Sequence, residues 1–206
     1  IKESLAIWKV LPRSAFWLLV SQILVMLGVA LTQVVNAIFA EEVLGIPQTQ
    51  WWLVFIPLLL TMVIVSLPIG KMIDKSGRKI PMILGLIVFG VAIQIFVSAN
   101  LATLMISMSL FGVAQLLVMA ASTALFTDLV TQENRGKVNG LINFLGYIAM
   151  AFGMLLGNFL YLEGKKVGLP QMPFYSALFL LIPLFPIIVF RVHEASENVD
   201  TQKSPQ

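Results

Sequence analysis

The residues Gly70-Lys71-Met72-Ile73-Asp74-Lys75-Ser76-Gly77-Arg78-Lys79 form a dense block of charge between two apolar stretches, 51–69 and 80–98. Charge of this density cannot lie in hydrocarbon, so the block must form a short loop at a membrane surface. Asp74 and Arg78 stand there as groups able to make and break ion pairs. Elsewhere the chain offers mainly hydrogen-bonding amides inside apolar segments: Gln22, Gln33, Asn36, Gln115 and Asn143. Amides bind and orient solutes but do not exchange protons near neutral pH. There is no Cys, the single His193 lies in a polar tail, and no Asp, Glu, Lys, Arg or His falls deep in an apolar segment. Nucleophilic, thiolate and metal chemistry therefore lack their residues, and neither an enzyme, a metal site nor a cofactor is expected.

The elements that must position these groups are membrane helices. The chain is 59% hydrophobic and 11% charged, with mean hydropathy +0.95, against about a quarter charged in a soluble domain. A spanning helix needs about 20 mostly apolar residues. Six segments qualify: 16–40, 51–69, 80–98, 102–126, 140–162 and 174–191. The expected fold is an all-α integral membrane bundle of six helices. Residues 1–15 read as an interfacial amphipathic segment, with Ile1, Leu5, Trp8 and Leu11 at helical spacing, and 192–206 as a polar tail. The chain does not begin with Met, which suggests an excised or processed portion of a longer protein.

Basic residues set orientation in a bilayer. Of the 13 Lys and Arg, all but Lys165 and Lys166 fall on one side of the six-span pattern. That side is expected to be cytoplasmic, with both termini on it, in a multi-pass protein of the cell membrane. The net charge of +3 is concentrated beside the spans and encodes orientation, so no nucleic-acid partner is expected.

The charged block resembles the loop signature of the major facilitator superfamily, G-x-x-x-D-x-x-G-R-K/R, which joins the second and third helices of a six-helix half. Thr127-Asp128 through Asn134-Arg135-Gly136-Lys137 is similar to that superfamily's D-x-x-x-x-x-x-R-G connection between the fourth and fifth helices. The resemblance covers almost the whole chain and implies a transporter of a small solute working by alternating access, secondary active or facilitated. It implies a conformational latch of Gly70, Asp74, Gly77, Arg78, Asp128, Arg135 and Gly136. In it Arg78 would pair with Asp128, Asp74 would face the N-terminus of the fifth helix, and Arg135-Gly136 would reverse the chain and anchor the next helix at lipid phosphates. No arginine occurs in the early fourth span, where N-terminal halves often carry one, and a basic segment comes first. The chain thus looks like the C-terminal half, whose partner would be a missing N-terminal half or a second copy of itself.

In that superfamily the first and fourth helices line the cavity, the second and fifth flank the other half, and the third and sixth face lipid. Gln22, Gln33 and Asn36 fall on one face of the first span at about 100° per residue. With Gln115 and Ser122 of the fourth span, and Asn143 and Tyr147 of the fifth, they are the expected substrate cavity. Gly146, Gly153 and Gly157 are expected to pack the fifth span closely against a neighbour. A wall without charge suits an uncharged or amphipathic solute. The competing reading is a non-transporting scaffold or sensor on the same bundle, which would tolerate Gln33→Leu and Asn36→Leu.

Overall fold

The computed structural model describes residues 12–192. The expected helix at residues 1–11 and the tail from His193 onward lie outside the described residues. The helices are α1 (Arg13–Gln33), α2 (Val35–Glu42), α3 (Trp51–Ser76), α4 (Lys79–Val97), α5 (Leu101–Leu129), α6 (Arg135–Lys166) and α7 (Met172–Pro186). A π-turn, Ile187–Arg191, follows Pro186. With α1 and α2 forming one interrupted span, six helical spans among the described residues are long and apolar enough to cross a membrane. The protein is an all-α, multi-pass membrane bundle.

Several boundaries depart from the sequence expectation. Helix α1 already begins at Arg13, inside the segment 1–15 read as interfacial. The charged block is mostly not a loop: α3 runs on through Ser76 and α4 starts at Lys79. Lys and Asp are permitted in a helix once it has left the hydrocarbon, so charge ends the membrane span without ending the helix. The reversal falls on Gly77-Arg78 alone, and Gly77 has φ 78° and ψ −176°, a region almost confined to glycine. Likewise Arg135 and Gly136 are the first turn of α6; the chain reverses over residues 130–134 instead.

Local chemistry explains the sharp start of α5. Asn100 Oδ1 accepts from the Thr103 amide at 3.0 Å, and Thr103 Oγ1 accepts from the Asn100 amide at 2.8 Å. This reciprocal capping box satisfies two donors that would otherwise be orphaned. The first span breaks at Val34 without Pro or Gly. Just before it, Thr32 Oγ1 donates to the Val29 carbonyl at 3.0 Å, a back-bond that competes with the helical ladder.

Helix α5 packs along α3 and α4, α6 packs along α1, and α7 lies against α1. Exchanging the first three spans with the last three converts the α1–α6 contact into α5–α3, and the α7–α1 contact into α4–α5. The bundle therefore has an internal pseudo-two-fold, with the first and fourth spans as equivalents. Glycines permit the close crossings. A Cβ on Gly157 would run into the Leu31 carbonyl, and one on Gly153 would stand 2.7 Å from Ala30 Cβ. The equivalent crossing uses Gly112, where a Cβ would lie 2.6 Å from Leu58 Cδ1. Two apolar clusters close the bundle, one around Leu18, Met82, Leu125 and Ile188, the other around Phe39, Phe96, Phe174 and Tyr161.

Candidate functional site: a central cavity and a charged end

Between the two clusters lies a cavity of about 360 Å³. Gln22, Thr32, Gln33 and Asn36 line it from the first span and Gln115 from α5. The remaining lining is apolar and adaptable: Met26, Met108, Met119 and Met150 with Phe89 and Phe111. The break at Val34 falls between Gln33 and Asn36, in the wall of the cavity, and the backbone there keeps helical angles (φ −73°, ψ −35°). The pseudo-two-fold places its equivalent first and fourth spans on opposite sides of this space.

Four of the seven expected cavity residues meet there: Gln22, Gln33, Asn36 and Gln115. Ser122 does not line the cavity; it is 2% exposed and its hydroxyl donates to the Met119 carbonyl at 3.1 Å. A serine inside a helix can satisfy itself against its own backbone, which keeps this hydroxyl out of the cavity wall. Asn143 and Tyr147 also stand apart, exposed on the outer face of α6. They lie on a face beside the glycine face that α6 turns onto α1, and it is Met150 that reaches the cavity from α6. The cavity methionines and phenylalanines were missed, because a Met or Phe in an apolar span carries no signal separating cavity from core.

At the loop-motif end, Arg78 Nε lies 3.0 Å from Asp128 Oδ2, with both side chains about one-third exposed (34% and 35%). The Nε–H does not point along this line, so the contact is an ion pair rather than a directed hydrogen bond. Arg135 turns back onto the end of α5, donating from Nη2 to the Thr127 carbonyl at 2.8 Å and from Nε to the Val130 carbonyl at 3.3 Å. It serves as a C-terminal cap, where phosphate anchoring was expected. Asp74 is exposed on the last turn of α3 and forms no ion pair among the described residues. Open space surrounds Gly70 and Gly136. Lys79 Nζ donates to the Val189 carbonyl in the π-turn at 3.1 Å, tying α4 to the last span.

The opposite end carries a second polar tie that the sequence did not reveal. Glu42 Oε2 accepts from Tyr161 Oη and from Lys165 Nζ, each at 2.7 Å. It joins the short helix α2 to the end of α6. More than a hundred residues separate the partners, so no local pattern marks them.

Five of the six spans contribute side chains to an amide-bearing cavity, and the ion pairs among the described residues lie at the span ends, which defines a polytopic membrane bundle with a polar interior space. A family model described as Major Facilitator Superfamily matches residues 18–205, and the chain belongs to that superfamily of membrane transporters. Quinolone resistance protein NorA of Staphylococcus aureus (strain COL) is 27% identical over 176 residues, covering 85% of this chain and 44% of that protein. Multidrug resistance protein 1 of Bacillus subtilis (strain 168) is 29% identical over 147 residues, covering 70% of this chain and 36% of that protein. The chain thus spans less than half the length of these curated relatives. Family and relatives indicate a transporter rather than an enzyme.

Proposed function

We propose that this chain is the C-terminal six-helix half of a carrier that moves a small uncharged or amphipathic solute by alternating access, secondary active or facilitated. It would sit in the cell membrane with both termini cytoplasmic. The observation that carries this reading is the cavity into which Gln22, Gln33, Asn36 and Gln115 converge from the first and fourth spans. Amides are costly against acyl chains and useful against a solute. The names of the relatives concern resistance to quinolones and to multiple drugs, which agrees with an apolar, methionine-lined wall that adapts to differently shaped molecules.

The Arg78–Asp128 pair, with Asp74, Gly70, Gly77, Arg135 and Gly136 around it, would act as the latch of the cytoplasmic end. The other half, or a second copy, would cover α3 and α6. These are the spans least covered by the rest of the chain, and α6 exposes Asn143 and Tyr147 there. Accessibility tests the reading. Cysteines replacing Gln33 and Gln115 in the full-length protein should react with a water-soluble thiol reagent, and solute should protect them. Unreactive cysteines at both positions in a folded protein would remove the cavity as a transport path. Unimpaired uptake by the Gln33→Leu/Asn36→Leu variant would favour the scaffold reading.

A further inference from the structure

Gln22 is 8% exposed and lines the cavity, yet its Oε1 accepts no hydrogen bond. Asn36 Oδ1 is in the same condition on the same wall. A buried carbonyl oxygen left without a donor is destabilising, so such atoms in native proteins meet a partner. The neighbouring groups do not supply one. The Thr32 hydroxyl is committed to Val29, the Ser21 hydroxyl to the Trp17 carbonyl at 2.9 Å, and Gln115 Nε2 to Met119 Sδ at 3.7 Å. Gln33, the other amide on the wall, reaches neither oxygen, and the rest of the lining is carbon and thioether sulfur. From this we infer that the cavity selects solutes that donate hydrogen bonds, amines or hydroxyls on an apolar or aromatic frame, and rejects anions. Gln22 and Asn36 are its specificity-determining acceptors. This rests on the proposed transport cavity and deepens it.

Charge points the same way. Among the described residues no Lys, Arg or His lines the cavity, so a carboxylate or phosphate entering it would lose its water for neutral amides alone, with no cation to offset the cost. An ammonium loses water too, but gains carbonyl oxygens and the rings of Phe89 and Phe111, whose centroids lie 5.3 Å apart in an edge-on pair. Gln22 and Asn36 are separated by roughly 20 Å of helix, too far for one small head group to touch both. They act as successive stations, one on each side of the break at Val34, to which a donor is handed as the solute advances.

Four probes on one aromatic frame test this with the purified full-length protein in nanodiscs: 2-naphthylmethylamine, 2-naphthylmethanol, 2-methoxynaphthalene and 2-naphthoate. The amine and alcohol should bind about tenfold more tightly than the ether and the acid, the scale of one well-formed hydrogen bond. Gln22→Met, close in volume, should abolish much of that preference without changing binding of the ether, and Asn36→Leu should do the same if the outer station is occupied at equilibrium. Equal affinity for alcohol and ether, tightest binding of the acid, or an undiminished preference in both variants would overturn the inference. If those results come with a thiol-reactive Gln115→Cys, the transport cavity stands and only its selectivity falls. An unreactive Gln115→Cys with no probe bound would sink both.

Discussion

Asp128 sits in the last turn of α5, where the helix dipole disfavours an anion. Arg78 at 3.0 Å offsets that cost, and Arg135 shields the neighbouring carbonyls. Both partners are one-third exposed, so solvent screens the pair and it contributes only about 0.2–1 kcal/mol. That is too little to hold the fold and enough to bias two conformations several-fold. Arg78→Gln and Asp128→Asn should therefore each leave thermal stability nearly unchanged and change uptake by the full-length carrier several-fold. The double variant should resemble the singles. Strictly additive effects in this double-mutant cycle would show that the two charges do not act as a pair.

At the scale of elements, the close crossing of α1 and α6 depends on glycines that differ in how much they can yield. At Gly157 an added methyl meets the backbone carbonyl of Leu31, whereas at Gly146 it meets only the sulfur end of Met26. Backbone cannot retreat without parting the helices; a methionine can change rotamer. Gly157→Ala should destabilise the bundle by about 1–3 kcal/mol, and Gly146→Ala by less than about 1 kcal/mol. The two aggregation temperatures in detergent would measure the difference. Equal losses would mean that α1 and α6 cross elsewhere. The same crossing fixes the wall of the cavity, because the first span presents Gln22 and Asn36 on the side that α6 does not cover.

For the whole molecule, the pseudo-two-fold makes α3 and α6 equivalent, and both leave long faces uncovered by the chain. Phe144, Tyr147 and Phe152 on α6 are 63%, 67% and 69% exposed, as Phe179 on α7 is at 71%. Apolar exposure alone does not separate lipid from protein in a membrane, but polar exposure does. The face of α6 carries the amide of Asn143 beside Tyr147, whereas around Phe179 there is no exposed amide or charge, only Tyr175 and apolar side chains. A fluorophore on a cysteine at Phe179 should be quenched by brominated lipids, and one at Tyr147 should be protected in the full-length protein. Equal quenching at both sites would place α6 against lipid and leave the proposed partner without its surface.

The number of spans and their all-helical nature were legible because hydropathy and charge are local properties. The reversals fell on Gly77-Arg78 and on 130–134, within a turn or so of where the charged motifs pointed, because charge ends a span without ending its helix. A run of about 20 apolar residues must satisfy its own backbone bonds in lipid, whatever surrounds it. The amides of the first span were legible too, since helical spacing alone puts Gln22, Gln33 and Asn36 on one face. Which way that face turns was decided by packing: Gly153 and Gly157 seat α6 on α1 at Leu27, Ala30 and Leu31, and Asn143 and Tyr147 are left exposed on the adjoining face of α6. Only the tertiary structure could bring Glu42 to Tyr161, fold Arg135 back on α5, or place four methionines around one space. Contacts between distant residues depend on how rigid helices nest. The helical period fixes which residues share a face, but not which neighbour that face will meet.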